Sequence, residues 1–322
     1  MRSRFAQVLA VIASAFAALC ASAQDWPTQP IKIVVPFPPG GTTDQIARFA
    51  QGPLQQILGQ PIIIENRGGA SGSIGANVVA RAAPDGYTWL LVFDTHGVNQ
   101  SLIKDLPYDT LKDFAPVMLV GVSPMLITAY PTTPYKSFND VIAASRKDPG
   151  SVAFGTIGSG SLAHLAMTLI DDKLGIKMTH VPYKGGGPLV QDAIAGNVPI
   201  AIGSAALLSP SVKAGRLRPL AVTSQQRFAP IPDVPTIGEL GVPEFASDSW
   251  WGLNAPAATP PAIIAKMRKA FADALRRPDV EDKLTAQGVV LRLSSPEEYQ
   301  RFLEHEVKQW AQVVKENHIS AQ

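Results

Sequence analysis

The chain has 322 residues, 46% of them apolar, with 28 Lys and Arg against 26 Asp and Glu. The near balance, without a long run of like charge, argues against nucleic acid or an anionic membrane as a partner. Its single cysteine excludes a disulfide framework, and the length suits two lobes better than one core.

The first residues set the compartment. Arg2 and Arg4 precede an uncharged apolar run from Val8 to Leu19, then Ala21-Ser22-Ala23, the order of a secretory signal with its cleavage site. This predicts a signal peptide at 1–23, a mature start at Gln24 and a periplasmic destination. The run is shorter than the roughly 20 residues that span a bilayer, so the mature protein is predicted to be soluble. Leu19 stands before Cys20 where a lipoprotein site wants a small residue, and cleavage removes that thiol. Thiol catalysis and cysteine-held metals are then excluded from the mature chain. Without Arg2 and Arg4 the formal charge falls from +2 to zero.

From Pro30 onward, short β-branched runs alternate with longer stretches of helical period, the pattern of parallel βαβ units and an α/β class. Ile31 to Val35 is a predicted strand. A helix follows with Ile46, Ala50, Leu54 and Ile57 on one face and Thr43 or Asp44 as cap, kinked at Gly52-Pro53. Further strands are predicted at 61–65, 88–93, 115–120, 125–129, 152–155, 178–181 and 200–202. A helix spans about 74–82. Near the end, Pro260 opens a helix carrying Ile264, Met267, Phe271 and Leu275. Ser295-Pro296-Glu297-Glu298 forms a capping box before a stripe of Tyr299, Leu303, Trp310 and Val314, read as core. Crossings between lobes are placed near 120–130 and just after the proline-rich stretch 229–243. Lobe 1 is thus 25–124 with 245–322, and lobe 2 is 125–244.

Two glycine loops each follow a strand and open a helix: Pro38 to Asp44, and Gly158-Ser159-Gly160-Ser161. Such bends present unpaired amides and the positive end of a helix dipole, which suits an anion. Facing one cleft, they would form a pincer around a small acid; alone, either is an ordinary turn. The second loop runs on to Ala163 in a Gly-x-Gly-x-x-Ala form, but the next strand tip is Val181-Pro182-Tyr183-Lys184, without the acid a nicotinamide site needs. The phosphate loop, the hydrolase elbow and the His-Glu-x-x-His zinc helix are all missing, so neither cofactor nor metal is predicted. Of the scattered histidines 96, 164, 180, 305 and 318, His164 is the one placed to reach a cleft. Asp94-Thr95-His96 forms a polar cluster at another strand tip.

Several ordered motifs carry a resemblance over nearly all of the mature chain. They are Val34-Val35-Pro36-Phe37-Pro38-Pro39-Gly40-Gly41-Thr42-Thr43-Asp44, Glu65-Asn66-Arg67, Pro84-Asp85-Gly86-Tyr87-Thr88, Leu106-Pro107-Tyr108-Asp109, Lys112-Asp113-Phe114 and Val181-Pro182-Tyr183-Lys184-Gly185. Together they resemble the substrate-binding proteins of tripartite tricarboxylate transporters, the Bug family. The resemblance implies a two-lobed periplasmic binding fold of type II-like form, each lobe a sheet flanked by helices, closing around its ligand. It also implies a carboxylate held by Pro39, Gly40, Gly41, Thr42, Thr43 and Asp44, and by Ser159, Gly160, Ser161 and His164, with Tyr183 and Lys184 nearby. Membrane subunits of the transporter are the implied partners, and the chain is expected to be a monomer.

Two departures bear on the ligand. Gly203, before Ser204, stands where many relatives carry an aspartate, so a contact to a ligand amine or hydroxyl is missing there. The segment 92–96 is one residue short, which lets Phe93 offer an apolar wall and Asp94 a replacement charge. A dicarboxylate or aromatic acid is therefore expected over an amino acid. Two other functions compete. One is a receptor reporting to a membrane sensor; the other is a cleft enzyme using His96 or His164 with Asp94 as base, for which no nucleophile is evident.

Overall fold

The computed structural model describes residues 26–243, 245–316 and 319. The export signal, the start at Gln24, Cys20 and His318 lie outside them. The first βαβ units form as their periodicity requires: β1 (Ile31–Val35), α1 (Thr42–Leu58), β2 (Ile62–Asn66), α2 (Ser73–Ala80), β3 (Thr88–Phe93) and α3 (Thr95–Leu102). Strand β1 lies parallel between β2 and β3. Its residues Ile33, Val34 and Val35 are fully buried because helices cover both faces of the sheet.

Helix α1 is continuous through Pro53, contrary to the kink expected at Gly52-Pro53. Ile46, Ala47, Ala50, Leu54 and Leu58 stay buried along one side, so packing on both sides of the proline outweighs the one backbone bond it removes. Its N-cap is Gly41, with no side-chain cap from Thr43 or Asp44.

A larger departure follows. The two strands expected at 115–120 and 125–129 are one strand, β4 (Phe114–Ala129), with Pro116 and Pro124 inside it. Proline interrupts the pattern from which strands are read, but the register shifts around Pro116 and Leu119 accommodate the irregularity. The remaining elements are α4 (Phe138–Lys147), β5 (Ala153–Thr156), α5 (Leu162–Leu174), β6 (Thr179–Pro182), α6 (Gly186–Ala195), β7 (Ile200–Ser204), α7 (Ala205–Lys213) and β8 (Arg218–Val222). After these come β9 (Asp248–Pro256), α8 (Pro261–Leu275), α9 (Pro278–Gln287), β10 (Val290–Leu291) and α10 (Pro296–Glu316). Strands β8 and β9 were not anticipated from the sequence.

The strand order is β2-β1-β3-β9-β4-β7-β5-β6, with β8 and β10 also on β4. Up to Pro124, β4 pairs antiparallel with β9; from Met125 it pairs with β7 and β8. One strand therefore belongs to both halves of the molecule. Thr223 staples the changeover: its amide donates to Met125 O at 3.0 Å, and its hydroxyl accepts from Met125 N at 2.9 Å and donates to Ser247 O at 2.6 Å. Helix α10 begins with the expected capping box, Ser295 N donating to Glu298 Oε2 at 2.8 Å and Glu298 N to Ser295 Oγ at 3.1 Å. Its stripe is buried, Tyr299 and Leu303 in the core of the first half and Trp310 and Val314 in that of the second. No described helix is long and apolar enough to cross a membrane.

Candidate ligand site

A cavity lies where the two halves meet. It takes in about 450 Å³ of empty space, part of it open to solvent. Its walls are the first turns of five helices: Gly41, Thr42 and Thr43 of α1, Asp94 at the N-cap of α3, Ala163 of α5, Gly186 of α6, and Ser204 and Leu207 of α7. Phe37, Phe93, Ile157, Gly203 and Ser249 complete it, and among the described residues no Lys, Arg or His lines it.

The convergence follows from topology. Each of these helices starts at the carboxyl end of a strand, and the two halves turn those ends toward each other. The first amides of a helix lack an intrahelical acceptor, and the dipole puts about half a positive charge there. Neither α1 nor α6 has a side chain capping its N-terminus, so their first amides are left for a guest.

The first glycine loop is held in place by a residue that does not touch the cavity. Asp44 is buried; its carboxylate accepts from Gly40 N at 3.0 Å, from Arg48 Nε at 2.9 Å and from Asn66 Nδ2 at 3.0 Å. Asn66 also donates to Phe37 O at 3.0 Å. Burial by itself would raise Asp44, but the hydrogen bonds from Arg48, Gly40 and Asn66 outweigh it and hold the carboxyl below its ordinary 3.8. This support is present above that value and is lost as pH falls through the lower, folded-state one. Asp44→Ala is expected to cost about 1–3 kcal/mol at neutral pH by leaving the Gly40 amide and one N–H of Asn66 unpaired. Urea melts at several pH values check this: the gap from wild type should close in acid, and a constant gap would refute the role.

The second glycine loop does not oppose the first. Three of its amides are already used: Gly158 N donates to Thr156 Oγ1 at 3.2 Å, Gly160 N to His164 Nδ1 at 3.0 Å and Ser161 N to Gly158 O at 3.2 Å. Ser159 O accepts from Ser71 Oγ at 2.9 Å, and Gly160 packs on Leu102. The loop is a latch between the halves, and of its helix only Ala163 reaches the cavity wall. The surface facing Gly41 is the turn Gly185-Gly186-Gly187, where Gly186 meets Gly41 and Gly187 meets Pro39 O. The bend that lies against the first loop is therefore this turn and not Gly158 to Ser161.

The remaining expected residues divide clearly. Gly41, Thr42, Thr43, Asp94, Gly203 and Ser204 line the cavity, with Phe93 as the apolar wall. Pro39, Gly40 and Asp44 shape the first loop from behind. Thr95 and His96 line a separate recess with Ser71 and Asn99. The His96 ring packs against Tyr108 and Phe114, with centroids at 6.0 and 5.0 Å, and burial pushes its pKa down to about 3, leaving it neutral. His164 stacks on His180 at 3.9 Å, and burial lowers it too. Neither imidazole reaches Asp94 as an enzymatic base would. Tyr183 is half-buried beside Asp192 and Lys184 is exposed, both away from the wall. Sequence reasoning did not find Ile157, Gly186, Leu207 and Ser249. Gly185-Gly186-Gly187 after a strand was a signal for one of them; Ser249 belongs to the unanticipated strand β9 and carried none.

The model of the tripartite tricarboxylate transporter family receptor matches residues 46–319. The chain belongs to that family. Protein BugT of Bordetella pertussis is 38% identical over 95% of this chain and 94% of its own length. Among solved structures, R. palustris Rpa4515 with adipate is 35% identical, with a TM-score of 0.88 over 92% of this chain and 100% of that one. MatC from Rhodopseudomonas palustris, with bound malate, is 32% identical, with a TM-score of 0.84 over 90% of this chain and 100% of that one. The family is one of transporter receptors, and the chain shares the two-lobed α/β fold of its solved relatives.

Proposed function

We propose that this receptor works in the periplasm, closing lobes 25–124 with 245–322 and 125–244 around a small organic acid for delivery to the membrane subunits of a transporter. The favoured ligand is a dicarboxylate or an aromatic acid rather than an amino acid. One observation carries this: five helix first turns meet at a cavity whose lining has no cationic side chain among the described residues. Anion capture there falls to backbone amides and hydroxyls, which bind without a fixed counter-charge. The apolar lining from Phe37, Phe93, Ile157 and Leu207 suits the carbon skeleton of the acid. The adipate and malate bound to two relatives agree with it.

Isothermal titration with adipate, malate, succinate, benzoate and glutamate tests the assignment. Binding of at least one of the first four, tighter than that of glutamate, is expected. Glutamate as the tightest of the panel would overturn the preference, and heat from none of the five would overturn the class. Mass spectrometry of molecules that copurify supplies an independent check.

A further inference from the structure

A cavity built for an anion has an aspartate in its wall. Asp94 is 1% exposed, and neither carboxyl oxygen completes a hydrogen bond. The Ser249 hydroxyl and the amides of Leu162 and Thr95 lie near it without reaching good geometry. Thr42 Oγ1, on the same wall, is likewise buried and unpartnered.

The charged groups around Asp94 give it no counterion. From α10, Glu306 faces it; that carboxylate accepts from Trp250 Nε1 at 2.8 Å and Trp310 Nε1 at 3.1 Å. On β9, Asp248 lies beyond Ser249 and feels Arg292. Asp44 of α1 is consumed by Arg48 and Asn66, His96 of α3 is neutral in its aromatic recess, and His164 of α5 accepts from Gly160. An ionised Asp94 would repel the ligand that the rest of the wall attracts. Two carboxyl groups share a confined site only when one of them carries a proton.

We propose that Asp94 acts as a neutral carboxylic acid, donating its O–H to one carboxylate oxygen of the ligand beside the Thr42 hydroxyl. This rests on the carboxylate assignment above and deepens it. A neutral acid gives a short, strong bond to a carboxylate but no counter-charge to an ammonium, so the same residue selects acids over amino acids. Burial holds Asp94 well above its ordinary 3.8, opposed chiefly by the Ser249 hydroxyl, helped by Glu306 and opposed again by the amides of Leu162 and Thr95, so its proton is kept to higher pH than on a free carboxyl. Binding needs the proton and is therefore complete below the raised value and lost above it. The fold itself loses stability as pH rises from 3.8 toward that value, because the unfolded chain releases the proton first.

The test is isothermal titration of wild type, Asp94→Asn and Asp94→Ala with adipate, malate and glutamate from about pH 5.5 to about 9. Wild-type affinity for the acid should fall by about tenfold per pH unit at the alkaline end. Asp94→Ala should lose about tenfold or more at the acid end, and Asp94→Asn, which keeps a donor, should restore binding and remove the pH slope. An infrared difference spectrum, wild type minus Asp94→Asn, should show the carbonyl band of a protonated acid at neutral pH. Acid binding with a flat pH profile, or a carboxylate band alone, would overturn this proposal and leave the function standing. Tight glutamate binding that Asp94→Asn abolishes would also overturn it. If adipate and malate are silent, succinate or benzoate takes their place in the series; if no acid of the panel binds, the donor role and the carboxylate assignment fall together.

Discussion

Gly160→Val is expected to weaken acid binding by about 100-fold, because it penalises closure by about 3 kcal/mol without touching the cavity. Gly160 has φ +72°, where a β-branched residue is strained by about 1–2 kcal/mol. A Cβ there would also overlap the Leu102 side chain of α3, in the other half of the molecule. The overlap lies next to the 2.9 Å bond from Ser71 Oγ to Ser159 O, and separation of the halves is expected to relieve it. The open form feels the backbone strain alone, so Tm should fall by only a few degrees, about 2–4 °C per kcal/mol. Gly40→Val makes a useful contrast: its φ is +93°, but a Cβ meets nothing within 4 Å, so strain shared by open and closed forms should cost stability and leave affinity within about threefold of wild type. Titration of both variants, with Leu102→Ala added to Gly160→Val to recover part of the loss, separates clash from strain. Wild-type affinity in Gly160→Val would mean that this latch is open in the bound state.

Trp251→Ala should be the most destabilising single change near the site, at about 3–5 kcal/mol. Trp251 is fully buried on β9 opposite Phe93 of β3, the two rings 5.4 Å apart. Its Nε1 donates to Thr43 Oγ1 at 3.2 Å, tying the hinge strand to the first turn of α1. Truncation would leave a cavity beneath the ligand wall and free a hydroxyl that now accepts. Trp251→Phe, which keeps most of the packing and loses the donor, should cost about 1 kcal/mol from the missing bond, plus packing adjustment. Urea denaturation of both variants measures the difference. A cost below about 1 kcal/mol for the alanine variant would show that the hinge does not depend on this ring.

The sequence by itself carried the α/β class, the βαβ order from Ile31 to Phe93, the capping box at Ser295 and the strand-to-helix bend at Gly40-Gly41. Each is a local matter of periodicity, proline and glycine chemistry or helix ends, and neighbouring residues suffice to state it. Asp94, Gly203 and Ser204 were legible for a related reason, since ligands gather at the carboxyl tips of strands in open α/β sheets. His96 follows Asp94 by two positions, yet it turns into the core beside Tyr108 and Phe114. Spacing on a short helix does not say which face the rest of the molecule will cover.

Only the tertiary structure decided which bend lies against the first loop and the unity of β4. Strand β9 returns from the far end of the chain to lie between β3 and β4, bringing Ser249 to the wall and Trp251 beneath it. Closure then selects Gly186 over Gly160 as the bend that meets Gly41. His164 has already taken the Gly160 amide, and that bond is made within the second glycine loop and its helix. Which amides remain for a guest depends on what every other group has bonded, a property of the assembled molecule that no stretch of its sequence displays.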